Sequence, residues 1–265
     1  MKQKSWIGRN WLILLTGALI GVAALVLSAL GNPGNMGFCI ACFERDIAGS
    51  VGLHSAGKLQ YFRPEIVGIV FGALLMAVGR KEFKGKAGSS PVLRFVLGAA
   101  VMIGALVFLG CPLRMLLRLG GGDPNAIVGL VGFIVGILVG VFFLKKGFTL
   151  RRAYDQSKLE GSAFPAALLI AFLLCVTGIC GLFRASAEGP GAAHAPWYVS
   201  IIAGLLVGAL AQRSRFCMAG GIRDAVMFKD FGLVSGSVIL IVVVLVGILA
   251  FHQSAKKVAP VALVW

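Results

Sequence analysis

The chain has 265 residues, of which 58% are hydrophobic and only 13% are charged, and its formal net charge is +15. Six or seven stretches of about 16–24 residues lack charge or nearly so, and about 20 apolar residues span a bilayer as a helix. Helices of a soluble protein would show polar faces at helical period, and β-barrel strands would alternate apolar and polar residues. The composition therefore predicts an all-α polytopic membrane protein and excludes a soluble globular one.

The basic residues are concentrated in three regions between apolar stretches. Lys and Arg in short loops mark the cytoplasmic side of a membrane protein. The excess charge is therefore interpreted as a topology signal and a contact with anionic lipid head groups, and nucleic acid is not an expected partner. The N-terminus is predicted to be cytoplasmic. The three regions contain Lys2, Lys4 and Arg9; Arg80, Lys81, Lys84, Lys86 and Arg94; and Lys145, Lys146, Arg151, Arg152 and Lys158.

Seven apolar segments are predicted to cross the membrane, in two groups along the chain. A chain that crosses at each of them, starting inside, places all three basic regions on the cytoplasmic side. The first group belongs to a predicted repeat over 1–160 and the second to a predicted repeat over 161–265. The segments are 11–30, 64–79, 92–110 and 125–144 in the first repeat, and 163–183, 196–212 and 231–251 in the second.

Three further segments, 37–49, 111–122 and 215–229, are too short and too charged to cross the membrane. Each has a cysteine near its start. Short helices at membrane depth persist only where they are buried in protein or face a water-filled cavity. They are predicted to be re-entrant half-helices, and helices lying at the membrane surface are the alternative.

Two of these segments share a pattern. Residues 38–46 and 216–224 both read F-C-x-A-x-x-x-R-D, with five identities in nine positions and an offset of 178 residues. An odd number of predicted crossings separates them, so they would enter from opposite sides. This predicts an inverted-topology repeat, whose broken helices build the substrate site in many transporters. A counterpart of the segment that begins at Cys111 would fall beyond Trp265, so the second repeat is predicted to be incomplete.

The segments GFCIACFERDIAG, LGCPLRMLLRLGGGD and RFCMAGGIRDA resemble the signature segments of the YeeE/YedE family. This family comprises bacterial inner-membrane proteins and includes thiosulfate transporters, and the present forms are similar to a YedE-related branch associated with selenium metabolism. The resemblance implies an hourglass-like, inverted-repeat helical fold in the inner membrane. It also implies a substrate path lined by Cys39, Cys111 and Cys217. The final G-C-P-L-R segment expected from the family is missing here.

The chemistry of these residues suits a small anion with a soft sulfur or selenium atom. Helix N-termini attract anions, and a thiol is a weak, polarizable donor that would not trap its cargo. Charged residues inside a membrane domain are functional candidates by default. They are predicted either to contact the anion or to clamp the half-helices through ion pairs. The candidates are Arg45, Asp46, Arg114, Arg223 and Asp224.

Three functions are consistent with the sequence. The leading prediction is transport of a thiosulfate-like anion, without catalytic residues, cofactor or metal. The spacing of Cys39 and Cys42 leaves open a membrane thiol oxidoreductase, whereas a metal site is not expected because no second CxxC exists and the histidines lie far apart. The third is a scaffold subunit that hands a sulfur or selenium species to a cytosolic carrier protein.

Overall fold

A computed structural model describes residues 6–34, 36–108, 110–149, 153–178 and 183–255. Several predicted features lie outside these ranges. They are the basic residues Lys2, Lys4, Arg151 and Arg152, residues 179–182 of the predicted span 163–183, and the segment 256–265.

The described residues are mostly helical, as the composition predicts. Two short strands, β1 (Gly85–Gly88) and β2 (Ala153–Gln156), pair in antiparallel register. A 3-10 turn lies at Gly189–Gly191. The helices are α1 (Trp6–Ala29), α2 (Ile40–Ser50), α3 (Pro64–Gly79), α4 (Pro91–Val107), α5 (Pro112–Gly120), α6 (Asn125–Lys145), α7 (Lys158–Thr177), α8 (Trp197–Ser214), α9 (Met218–Phe228) and α10 (Gly232–Ala255).

Six helical stretches in the described part of the chain are long and apolar enough to cross a membrane. They contain α1, α4, α6, α7, α8 and α10, and two of them also take in the short helix that follows, α5 or α9. The chain is therefore a multi-pass membrane protein by length and composition. Helix α3 has only 16 residues, or about 24 Å at 1.5 Å per residue, which is less than the hydrocarbon thickness.

The helices separate into an inner and an outer group. The buried side chains come mainly from α1, α2, α3, α5, α8 and α10, and examples are Leu27, Phe43, Leu116 and Leu240. In contrast, α4 and α7 have no buried residue, and α6 has only Ala126 and Val141. The outer helices instead expose large apolar side chains along their length. Such an apolar surface is the one that a hydrocarbon environment requires.

Glycines bring α3 and α8 into direct backbone contact. A Cβ at Gly72 would overlap the carbonyl of Leu205, and one at Gly208 would overlap the carbonyl of Ile69. Gly68 and Gly204 meet in the same way one turn earlier. The contacts ascend together in both helices, so α3 and α8 run parallel. Small residues four apart allow this close approach, which maximises van der Waals contact between helices in lipid.

Helices α1 and α10 form a second parallel pair of the same kind. Gly17 lies against the backbone of Gly236, and Gly21 lies against Val243. One further step along both helices, Leu25 lies against Gly247. The two parallel pairs make the most extensive helix–helix contacts in the described structure. They form the frame around which the short helices are placed.

The loops gather at the two ends of this frame. At one end, β1 and β2 join the two basic loops, and Arg215 at the end of α8 forms an ion pair with Glu82 at 3.0 Å. At the other end, the loop before α8 donates backbone hydrogen bonds to the loop before α3, from Ser186 to Gln60 and from Gly191 to Lys58. All the described basic loops therefore lie at one end of the molecule.

The glycine contact between α3 and α8 predicts a strong effect of one added methyl group. Gly72→Ala should destabilise the protein by about 1–3 kcal/mol, the usual cost of overpacking, because the new Cβ meets backbone that cannot rotate away. Gly136→Ala is the matched control, since a Cβ at Gly136 in α6 meets nothing within 4 Å. The thermal unfolding midpoint of the detergent-solubilised variants measures the difference. Equal midpoints would contradict the tight α3–α8 contact.

Candidate functional site

Two short helices begin at cysteines that face each other. Cys39 is the N-cap of α2 and Cys111 is the N-cap of α5, and both have extended backbone conformations. The backbone N–H of Cys111 donates a hydrogen bond to Cys39 Sγ over 3.3 Å. Pro112 suits the first helical position because it lacks an N–H that would otherwise be unpaired. Two helix N-termini, each with partial positive charge, therefore converge on one place.

The third thiol, Cys42, lies one turn along α2 from Cys39. Cys39 and Cys42 are fully buried, whereas Cys111 is half-buried. The guanidinium of Arg114 donates from Nη1 to Cys42 Sγ over 3.0 Å. The site, here called the thiol cluster (Cys39, Cys42, Cys111 and Arg114), thus combines three soft sulfur atoms with one positive charge.

A buried charge clamp holds α2 in place beside this cluster. The Asp46 carboxylate accepts hydrogen bonds from Arg45 Nη2 at 2.7 Å and from Arg63 Nε at 2.9 Å. Asp46 and Arg63 are both fully buried. Arg63 also donates to the backbone carbonyls of Ala193 and Pro190. Because its donors are satisfied from several directions, Arg63 ties α2 to the loop before α8.

A neighbouring polar cluster joins the ends of three helices. Asn32, after α1, donates from Nδ2 to Glu65 Oε1 at 2.8 Å, and Ser200 Oγ in α8 donates to the same oxygen at 3.0 Å. Asn32 Oδ1 accepts from the backbone N–H of Ala195. The end of α1 therefore meets the starts of α3 and α8, so α1 runs antiparallel to both.

Tyr61 lies on the outer side of the clamp, in the loop before α3. Its ring stacks on the His194 ring at 4.3 Å between centroids and lies under the Arg63 guanidinium at 5.0 Å. Burial, reinforced by the charge of Glu65, raises the pKa of the Tyr61 hydroxyl to about 12. The Tyr61 ring covers the Arg63 guanidinium on this side of the clamp.

The other end of α5 carries a separate ion pair. Arg118 binds Asp123 at 2.6 Å and donates to the carbonyl of Phe108. The Arg118 guanidinium lowers the pKa of the Asp123 carboxyl, which lies in the loop before α6. Arg118 is therefore neutralised locally, and Arg114 is the guanidinium of α5 that faces the thiols.

Cys217 lies in a different environment from the thiol cluster. It is the N-cap of α9, where its Sγ accepts from the Gly220 N–H over 3.3 Å, and its side chain is exposed. It lines a groove of about 920 Å³ between α4, α6, α9 and α10, together with Arg215, Arg223 and Asp224. Arg223 and Asp224 form an ion pair at 2.8 Å with partly exposed side chains. The second sequence copy thus keeps the N-cap cysteine and the Arg–Asp pair of the first.

The structure brings together only part of the predicted site. Cys39, Cys111 and Arg114 meet in the thiol cluster, Arg45 and Asp46 form part of the clamp beside it, and Cys217 with its charges lies in the separate groove. The sequence analysis missed the buried polar residues Asn32, Arg63 and Glu65. The available signal was the R-P-E run at the start of an otherwise apolar span. The described residues contain no group of three or more His, Cys, Asp or Glu arranged to hold a metal ion.

No family model matches the chain, and neither a curated protein nor a solved structure matches it. The resemblance of the three motifs to the YeeE/YedE family therefore stays a prediction from sequence. The functional interpretation of the site is therefore based on the contacts and distances of its residues.

Removal of one buried partner from the clamp should destabilise the protein strongly. Arg63→Met should cost about 3–5 kcal/mol, because it leaves the buried Asp46 carboxylate with one partner fewer. Arg223→Met removes the equivalent ion pair in α9, whose side chains are 49% and 24% exposed, and should cost less than about 1 kcal/mol. Thermal unfolding of both variants in detergent compares the two. Similar losses in both would refute a specific structural role for Arg63.

Proposed function

We propose that this chain transports a small sulfur- or selenium-containing anion, such as thiosulfate, across a bacterial inner membrane. The observation that carries the proposal is the contact between the Cys111 N–H and Cys39 Sγ, which places the starts of two short helices face to face. Each start offers backbone N–H groups to an anion. Arg114 adds a full positive charge on the same side.

The soft thiols suit transit better than retention of the anion. A dehydrated anion needs positive potential, which α2, α5 and Arg114 supply. Its terminal sulfur or selenium needs a polarizable contact, which neutral thiols supply as weak donors. A stronger ligand such as a metal would hold the anion, whereas conduction requires sites that release it. The chain thus acts as a transporter and not as an enzyme.

The arrangement of the helix pairs supports an inverted repeat. The offset of 178 residues matches α1 with α8, α2 with α9 and α3 with α10. In this correspondence α8 takes the place of α1 and α3 takes the place of α10, so the pair α8–α3 is the counterpart of the pair α1–α10. Both pairs are parallel, both are built on glycines, and α1 runs antiparallel to α8. In this proposal α2, α5 and α9 are re-entrant half-helices of an hourglass-like fold, with repeats over 1–160 and 161–265.

The gathering of the basic loops supports a cytoplasmic N-terminus. Strands β1 and β2 hold the two basic loops together, and Arg215 reaches Glu82 from the end of α8. Cationic loops on one side indicate the cytoplasmic face. In this orientation the thiol cluster lies on the path from outside. Cys217, in its exposed groove, lies nearer the cytoplasm and is the last cysteine that the anion meets.

The transport proposal predicts the effect of single cysteine changes. Cys39→Ala, Cys111→Ala and Cys217→Ala should each lower uptake by a factor of about 2–10, the effect of losing one hydrogen bond to the passing anion. Uptake of labelled thiosulfate and of labelled selenium compounds is measured in cells without their own importers, at equal protein in the membrane. Cys175→Ala is the control, since Cys175 lies in α7. Unchanged uptake in all three path variants would overturn the proposal.

A membrane thiol oxidoreductase is the second candidate, because Cys39 lies against the backbone of Cys111 and one helical turn from Cys42. Two of these thiols would form a disulfide by giving two electrons and two protons to an external acceptor. Alkylation trapping in cells should then find a reversible disulfide that Cys42→Ala or Cys39→Ala removes. Thiols that stay reduced under oxidising and reducing growth conditions would exclude this candidate and leave the transport proposal untouched.

A further inference from the structure

A second cavity lies where α3 and α8 end, away from the thiol cluster. Its volume is about 760 Å³, and it is here called the basic pocket. Its rim carries four cationic side chains, from Lys81, Lys84, Lys86 and Arg215. Its acidic lining residue, Glu82, is already paired with Arg80 at 3.2 Å and with Arg215 at 3.0 Å. The rim therefore has a net positive charge after this pairing.

The wall of the basic pocket has the opposite character. Val70, Ala73 and Leu74 line it from the last turns of α3, and Pro165 lines it from α7. These residues belong to the apolar helical layer, whereas the lysines belong to the loop and to β1. The pocket therefore changes from apolar to cationic over its depth, at the end of the molecule where the basic loops meet.

Two rim residues have unusual backbone conformations. Lys81 and Arg215 both have φ of 56°, in the left-handed region that non-glycine residues rarely occupy. Each follows the end of a helix, α3 or α8, and turns the chain so that its side chain reaches the rim. A left-handed residue commonly ends a helix, so this conformation belongs to the two helix ends and sets the direction of the chain at the rim.

We propose that the basic pocket binds an anionic phospholipid of the surrounding leaflet. The phosphate and the rest of the negative headgroup contact the rim cations, and the acyl chains lie along the apolar wall of α3 and α7. A free phosphate ion would satisfy the rim but would leave the apolar wall without a ligand. Basic pockets between membrane helices on the cytoplasmic side suit such head groups. The proposal is independent of what the thiol cluster transports.

The charge of the rim favours the headgroup in spite of the helix ends nearby. The carbonyl ends of α3 and α8 carry partial negative charge and would by themselves repel an anion. A lysine that only neutralised a helix end would stabilise the protein equally with or without lipid. A lysine that binds lipid would instead stabilise the protein only when lipid is added. The two roles can therefore be separated by measurement.

The test uses the full chain in a neutral detergent, with dioleoylphosphatidylglycerol as probe and dioleoylphosphatidylcholine as its zwitterionic match. Native mass spectrometry gives the apparent Kd of the first bound lipid. The variant Lys84→Gln/Lys86→Gln should bind phosphatidylglycerol at least about tenfold more weakly than the wild type. Lys145→Gln/Lys146→Gln removes the same charge from exposed positions outside the pocket, and its Kd should change less than about twofold.

A second variant changes the rim in the opposite direction. Glu82→Gln removes the carboxylate from the rim and should tighten phosphatidylglycerol binding, and added salt should reduce the gain. Equal binding of the two lipids by the wild type, or equal weakening by the two lysine pairs, would overturn the proposal. Displacement of the lipid by millimolar inorganic phosphate would also overturn it and would assign the pocket to a free anion.

Discussion

The position of the thiol cluster depends on the ion pairs of the buried Asp46 carboxylate. Asp46 lies seven residues after Cys39 on the same short helix and is held by two guanidiniums, from Arg45 and Arg63. Helix α2 has only 11 residues, too few to be stable alone in water. Its orientation must therefore come from tertiary contacts. Arg63 supplies one of them, because it joins α2 to the start of α3 and to the carbonyls before α8.

The buried charged groups of this apolar protein are stabilised by their position beside oppositely charged or hydrogen-bonding partners. An ion in a low-dielectric interior is stabilised only if a partner and hydrogen bonds replace its hydration shell. Asp46 has both, whereas Glu65, near the end of α1, is held by neutral donors, Asn32 and Ser200. The polar groups thus meet where chain segments turn. The apolar spans between these polar clusters are stabilised mainly by packing against one another.

Helices lie at the apolar segments of the sequence because helix formation there depends on local composition, although six stretches and not seven are long enough to cross a membrane in the described part of the chain. Helix α3 occupies Pro64–Gly79, where an apolar run lies between a proline and a basic loop. The partners of Asp46 were not predictable in the same way. Arg45 adjoins Asp46 in sequence, but Arg63 lies 17 residues away, and only the fold brings it close. The pairing of β1 with β2 was also missed, because four-residue strands between basic residues leave no periodic signal.

The two motif cysteines, Cys39 and Cys217, show which structural features a repeated sequence motif predicts and which it does not. Cys39 and Cys217 share a nine-residue motif, and both are N-caps of short helices. Their local structure therefore follows from sequence. Their surroundings differ, because α5 covers Cys39 through Cys111, while Cys217 faces an open groove. A repeated motif fixes the helix start but not the neighbours that the rest of the chain supplies.

The glycine contact between α3 and α8 also restricts how the protein can move. With backbone against backbone at Gly68, Gly72, Gly204 and Gly208, a small axial slide would drive a larger side chain into the gap. The next arrangement without a clash lies a full helical turn away, about 5.4 Å. We therefore expect α3 and α8 to move together as one rigid body. In contrast, the outer helices α4, α6 and α7 have few or no buried residues and pack more sparsely against this frame.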